Sequence, residues 1–517
     1  PITPSIRSTP QTFQQDAVFT PLTIRIEYDI KRPTTGVNFD TLDEDKPYLW
    51  NAYTTNNELC STASYWMPCV DSFEEKSTWE IEISVPKKVK NIGTSKIIGQ
   101  QDQQQTKVVE NNNNNNSKDN ENHHNHQDDD EDEDEDEEDD EDDDDEVDKE
   151  GGPDHIISEY TKYLNREIKV CCSEFSPVKE LAHPIDLSKK VFIFQIFNPV
   201  APHHIGWAVG AFDVWTLPPL FGTDKSLKSN EEEIEDNDEN NKDNDAMNHN
   251  DNDIDMLNDD NSNDLLDNTE GMDIIPINVY TLPSNDINEN TVINSTIVCQ
   301  RIIDFYSKEF GSYPFTSYSL VFLPSITNPT MDFASMTICN TRLLYDSTIL
   351  DQMFSTTDYL SWSIASQWSG INITPLEMND IWCCLGIAGY MVRQFSKHLY
   401  GNNEFKYRLK KSVEEIVSKD WEKPPIGLTF KGASWPISVS SHDLDFIKLK
   451  APMVLYILDR RMTKTERSFG MSRVLPKIFL QAMSGDLPNN SLSSHHFQHV
   501  CERVNKNKLE PFFQQWI

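Results

Sequence analysis

Apolar residues alternate with polar ones along Pro21–Ile30 (P-L-T-I-R-I-E-Y-D-I) and again along Trp79–Val85 (W-E-I-E-I-S-V), the two-residue period of a strand with one buried face. Val191–Phe197 is apolar almost throughout, as a strand covered on both faces is. Farther along, the period lengthens. Thr296–Phe310 repeats its apolar positions every three to four residues, and Gly311-Ser312-Tyr313-Pro314-Phe315 then turns the chain into a strand over Tyr318–Leu323. Helices are predicted near 355–369, 379–398, 405–421, 444–461 and 465–483. The chain reads as α+β, with a β-sandwich domain over 1–217 followed by an α/β domain over 218–517.

Charge changes this picture in two places. Of 86 acidic and 45 basic residues, about half the acids but few of the bases fall within two Asn/Asp/Glu-rich segments, about 101–153 and about 221–272. The first contains the unbroken acidic run Asp128–Glu146. The net charge of −41 is therefore local, and the remainder is close to neutral. Such segments lack the apolar surface to offset chain entropy and are expected to be disordered insertions in surface loops. Two roles stay open for the acidic run: a solvated insertion, or a segment that binds basic tails or competes with nucleic acid.

Nine cysteines form no C-x-x-C pair and no even framework, which fits a reducing compartment. No apolar run approaches the roughly 18 residues of a membrane span. The chain begins at Pro1 and ends on Trp516-Ile517, as a fragment of a longer protein does, so a leader is not judged from it.

Candidate chemistry concentrates between residues 362 and 390, W-S-I-A-S-Q-W-S-G-I-N-I-T-P-L-E-M-N-D-I-W-C-C-L-G-I-A-G-Y. This stretch resembles the active-site frame of the thermolysin-like zinc aminopeptidases, H-E-x-x-H-Q-W-F-G-N followed by N-D-L-W-x-x-E-G-F-A-x-Y. Gln367, Trp368, Gly370, Asn379, Asp380, Trp382, Gly386, Ala388 and Tyr390 match the frame. The chemical positions do not. Trp362 and Ser366 stand where the resemblance implies histidines, Ser363 where it implies the general-base glutamate, and Leu385 where it implies the distal glutamate, with eighteen residues between Ser366 and Leu385. Zinc held this way needs two imidazoles one helical turn apart and a carboxylate, with a fourth position for the water it activates. Tryptophan and leucine supply no such lone pair, and a serine hydroxyl is too weak an acid to do so. The amine-binding loop of these enzymes corresponds to Pro329-Thr330-Met331-Asp332-Phe333, in which Asp332 keeps a shorter carboxylate. The oxyanion tyrosine corresponds to Lys448. The resemblance thus implies a degenerate site, with no metal, no cofactor and no peptidase activity. Trp362 and Leu385 are expected to meet across the zinc position and close it as core.

W-M-P-C-V-D-S-F-E-E-K-S-T-W-E (66–80) resembles the W-F-P-C-F-D-E-P segment of the same enzymes' N-terminal β domain. With N-A-Y-T-T-N-N-E-L-C (51–60), A-P-H-H-I-G-W-A-V-G-A-F (201–212) and C-N-T-R-L-L-Y-D (339–346), it extends the likeness over both domains. Together these stretches resemble the aminopeptidase-like region of the TATA-binding-protein-associated factor 2 family, a subunit of the general transcription factor TFIID. The resemblance implies a gluzincin-type fold without zinc, a nuclear location and a scaffold role in core-promoter recognition and RNA polymerase II pre-initiation complex assembly. Implied partners are other TFIID subunits, core-promoter DNA and histones, with no membrane. A metallo-aminopeptidase with relocated ligands and an acidic histone-binding module are the alternatives.

Lys and Arg outnumber Asp and Glu between 406 and 477, and two clusters are candidates for DNA-backbone contact: Lys406, Arg408, Lys410, Lys411, and Arg460, Arg461, Lys464, Arg467. The alternative is solvated helix faces paired with Glu414, Glu415 and Asp459. No base-reading motif accompanies them. His203-His204 is expected to be a polar turn, since adjacent residues diverge. His123, His124 and His126 fall in the first insertion, and His495-His496 lack ligand-spaced partners. Trp368 and Trp382 are expected in the core.

Overall fold

The computed structural model describes residues 23–31, 33, 35–40, 46–56, 62–92, 163–173, 179–219, 274–284, 286–423, 425–427, 441–463 and 469–517. Both acidic segments, His123, His124, His126, Lys464 and Arg467 lie outside the described residues.

The first domain contributes β1 (Val37–Asp40), β2 (Asn51–Thr54), β3 (Ser77–Pro86), β4 (Lys169–Cys172), β5 (Lys179–Ala182), β6 (Lys189–Val200), β7 (Trp207–Gly210) and β8 (Asp213–Thr216). Two sheets form, ordered β1-β2-β7-β4 and β3-β6-β5. Alternation decides which side chains meet between them. Val85, Phe192 and Phe194 from one sheet share a buried cluster with Val170 and Val209 from the other. Ala208, one residue before Val209, points to the opposite face, where it joins Val321 and Ile338 of the second domain. The expected strands over Trp79–Val85 and Val191–Phe197 lie inside β3 and β6. Of the strand expected over Pro21–Ile30, Pro21 and Leu22 lie outside the described residues, and Thr23–Ile30 is not in a strand, all eight residues being exposed.

The second domain adds β9 (Ile277–Thr281), α1 (Glu289–Thr296), α2 (Val298–Phe310), β10 (Tyr318–Leu323), β11 (Thr330–Phe333), β12 (Met336–Asn340) and α3 (Leu350–Trp368). Its sheet runs β11-β12-β10-β9-β8. β9, β10 and β12 are mutually parallel, and β11 and β8 flank them antiparallel. The domain boundary drawn at 217 therefore falls between two strands, β8 and β9, that pair in one sheet. β10 is apolar at nearly every position and fully buried, as the inner strand of a sheet covered on both faces requires.

Then follow β13 (Thr374–Pro375), α4 (Ile381–Lys419), α5 (Ser441–Met462), α6 (Met471–Ser484), β14 (Ser491–Leu492), α7 (Ser494–Asn505) and α8 (Glu510–Trp516). The helices expected near 379–398 and 405–421 are the two arms of α4, broken at Gly401, whose φ of 80° is open to glycine. The arms fold back on each other: Arg393 Nη2 donates to Ser412 Oγ at 3.1 Å, and the Arg408 guanidinium stacks 5.0 Å from the Tyr400 ring. The helix expected from 465 starts at Met471.

The two domains share one core. Phe73, Ile196 and Val200 of the first belong to the same buried cluster as Leu320, Trp368 and Trp382 of the second. Lys76 Nζ crosses between them, donating to the carbonyls of Asn372 at 2.8 Å and Asn490 at 3.2 Å.

Candidate functional site

α3 and α4 lie side by side, with edge strand β11 against α3. Matching frame residues build this corner. Gln367 is buried and clamps the β11–β12 turn: its Oε1 accepts from Ser335 N at 2.8 Å and its Nε2 donates to Phe333 O at 3.0 Å. Trp368 Nε1 donates to Gly311 O at 2.9 Å, with its ring against Tyr306 and Tyr313. Asp380 closes a capping box with Glu377 and accepts from both the N–H and hydroxyl of Ser494, joining the start of α4 to the start of α7. Trp382 Nε1 donates to the same hydroxyl at 2.9 Å. Each buried aromatic keeps its polar edge paired, which burial demands.

The sequence-predicted positions converge here. Ser366 Oγ lies 3.2 Å from Asp332 Oδ2 and 2.7 Å from Ser363 O. Asp332 Oδ1 accepts from Thr337 Oγ1 at 3.0 Å. Ser366, Asp332, Trp362 and Leu385 all line one cavity of about 70 Å³. Lys448 comes from α5, its Nζ 5.7 Å from the Trp362 ring centroid.

The expected closure does not occur. Trp362 and Leu385 are half-buried, and the small cavity persists beside them. Trp362 instead forms a wall shared with a cleft of about 1090 Å³, which is lined also by Asp358, Arg393, Arg408, Glu415 and Lys448. The indole seats against Gly389 and Pro452. Opposite α3, the cavity wall is His203 and His204, a short 3-10 turn with rings 4.1 Å apart and both side chains buried. The sequence signalled the turn but not its burial, which comes from packing against the second domain: Ala334 N donates to His204 O at 2.8 Å. Burial pushes the His203 imidazole down to about 4 and His204 further. Nearby Lys76 is pushed down to about 7 by the same cause.

The fold's zinc does not fit these residues. Trp362, Ser366 and Leu385, at the positions where the sequence resemblance implies ligands, offer no imidazole or carboxylate. Among the described residues no group of three His, Cys, Asp or Glu side chains is placed to hold a metal ion.

The basic clusters have separate fates. Arg408 is held in two ion pairs, with Asp358 and Glu404, each at 2.7 Å. Lys410 and Lys411 both approach Glu414. Arg461 stacks over Phe512 at 5.8 Å. Lys406 and Arg460 are exposed. Phe405 and Tyr456, 5.9 Å apart, bring their two helices together at this end. His496 hydrogen-bonds Gln481 at 3.1 Å.

A model of the peptidase family M1 domain matches residues 295–426, spanning α2 to α4. In fold, the chain is similar to an M1 zinc metallopeptidase from Deinococcus radiodurans, with a TM-score of 0.50 and 10% identity over 90% of this chain and 69% of that one. In sequence, it is 57% identical to transcription initiation factor TFIID subunit 2 of Saccharomyces cerevisiae over 100% of this chain and 37% of that protein. The Schizosaccharomyces pombe subunit is 32% identical over 96% of this chain and 36% of its own length. The chain thus spans little more than a third of the length of each of these two relatives. Over its whole length it resembles that part of TFIID subunit 2, and it carries the α+β fold of the two-domain M1 metallopeptidases.

Proposed function

We propose that this chain is the aminopeptidase-like module of a TFIID subunit and acts as a non-catalytic scaffold in core-promoter recognition and pre-initiation complex assembly. The observation that carries the reading is 57% identity to the S. cerevisiae subunit along the entire chain. The side chains at the M1 chemical positions agree with it. Trp362, Ser363, Ser366 and Leu385 leave no means of activating water, so the zinc ligands and general base of the parent fold are lost while Gln367, Asp380 and Trp382 preserve its shape. Other TFIID subunits are the partners, and the nucleus is the site of action. Among the described residues no helix is long and apolar enough to cross a membrane. Core-promoter DNA meets exposed basic residues near Lys406 and Arg460 through its phosphates, a contact that sets affinity without reading bases. Affinity purification of the tagged chain from nuclear extract tests this reading. Recovery of other TFIID subunits supports it, and their absence from a folded, soluble chain contradicts it.

A further inference from the structure

Two arginines of α4 line the cleft of about 1090 Å³, and the fold treats them differently. Arg408 is held by Asp358 and Glu404, each at 2.7 Å. Arg393 has no such partner. Among the described residues its guanidinium makes one hydrogen bond, from Nη2 to Ser412 Oγ at 3.1 Å, and the rest of its N–H donors are unused. Burial alone pushes its pKa down to about 10, whereas a neighbouring carboxylate would hold it up. Ser396, one helical turn beyond Arg393 and also on the cleft wall, is buried with its hydroxyl unpartnered among the described residues. A perturbed, unpaired cation in the wall of a large cleft is the mark of a ligand site.

The remainder of the wall limits what that ligand is. Acidic side chains outnumber basic ones by five to four among the described lining residues, so a polyanion such as a nucleic-acid backbone or an unbroken acidic run is repelled. Trp362, Val392, Leu449 and Pro452 supply apolar surface in the same cleft. Lining positions continue along α4 on both sides of Arg393, from Gly389 to Ser396 and on to Phe405 in the returning arm, so a chain can pass the guanidinium rather than end there. We propose that this cleft binds an extended peptide segment of another protein through the side-chain carboxylate of an Asp or Glu, with Arg393 as its partner. The carboxylate accepts two parallel N–H bonds from the guanidinium. Basic and apolar neighbours in the peptide meet the acidic and apolar parts of the wall. Recognition through a carboxylate differs from the amine recognition implied for the loop at Asp332, whose oxygens contact Thr337 and Ser366.

Titration of Pro1–Ile517 with the blocked peptide acetyl-Lys-Glu-Lys-amide, followed by ligand-observed NMR, tests this. Saturable binding is expected with a Kd of about 1 mM, as suits one anchored residue. Replacing the probe's glutamate by glutamine is expected to weaken binding about tenfold or more, as loss of a charge-assisted pair does. Arg393→Gln is expected to weaken the glutamate probe to the same degree and to leave the glutamine probe unchanged. Arg393→Lys, which keeps the charge but not the fork, is expected to fall between. The comparison of the two probes on the unaltered chain does not depend on either variant folding. Equal affinity for the two probes, no saturation by about 10 mM, or unchanged binding in a folded Arg393→Gln chain overturns the proposal. So does tighter binding of acetyl-Lys-Ala with a free carboxyl terminus, which marks a chain end. Displacement of the probe by a short DNA duplex or by oligo-aspartate, which marks a polyanion site, overturns it as well.

Discussion

Trp362 rests against the bare backbone of Gly389. A methyl group on Gly389 meets Trp362 Cζ3 at 2.9 Å and Pro452 Cγ at 2.3 Å. The indole, at a position where the sequence resemblance implies a ligand, is therefore accommodated by an absence on the neighbouring helix. Gly389→Ala is expected to destabilise the chain by about 1–3 kcal/mol through overpacking, despite the better helix propensity of alanine. Urea unfolding of the two chains measures it, and an unchanged or higher midpoint contradicts the packing described.

The histidine pair makes stability depend on pH. The folded state holds His203 near 4, whereas an unfolded histidine titrates near its ordinary 6.5. As pH falls from 6.5 toward 4, the unfolded chain gains a proton that the folded chain refuses, so stability is lost over that window. Lys76, held down to about 7, acts in the same direction at higher pH: between its ordinary 10.5 and 7, acidification favours the unfolded state. His203 alone is expected to cost about 2 kcal/mol between pH 7.5 and pH 5. His203→Gln is expected to shrink the difference in urea midpoint between those two pH values. An undiminished difference in the variant assigns the acid sensitivity elsewhere.

Arg408 and Arg460 carry the same charge but do different things. Arg408 is committed to Asp358 and Glu404. Removing it by Arg408→Gln leaves a carboxylate in the cleft wall without its cation and is expected to cost about 1–3 kcal/mol of stability. Arg460→Glu, on an exposed position, is expected to move stability by less than about 0.5 kcal/mol. It is also expected to weaken promoter-DNA binding several-fold and to flatten its salt dependence. DNA titrations at two salt concentrations distinguish the outcomes, and unchanged affinity in a folded Arg460→Glu chain removes this patch from the DNA surface.

Local signals carried much of this fold. Tyr318–Leu323 reads as a strand because the Gly311–Phe315 turn leads into it, and its ends coincide with those of β10. The α3 and α4 helices were legible from periodicity, and the joining of the helices expected near 379–398 and 405–421 into one broken element, α4, turns on Gly401. What failed was non-local. Thr23–Ile30 has a strand's alternation, but pairing depends on a neighbour that alternation does not supply. The burial of His203 and His204 arises from the second domain closing over a loop, which no nearby residue announces. The Trp362–Leu385 closure failed for a similar reason. Replacing zinc ligands with bulky side chains removes the metal's coordination, but whether the space fills depends on Gly389, Pro452 and the approach of α5. The substituted positions themselves were visible, because the spacing between matching frame residues survives around them.

Metal content measured together with turnover tests the central claim most directly. The account predicts that the native polypeptide, purified without chelator and supplied with zinc, retains less than about a tenth of an equivalent after buffer exchange, because a zinc site needs three protein ligands and these positions offer none. It also predicts no release of product from aminoacyl substrates above the buffer rate. About one equivalent of zinc per chain, with aminopeptidase turnover that follows the zinc on removal and readdition, contradicts the account.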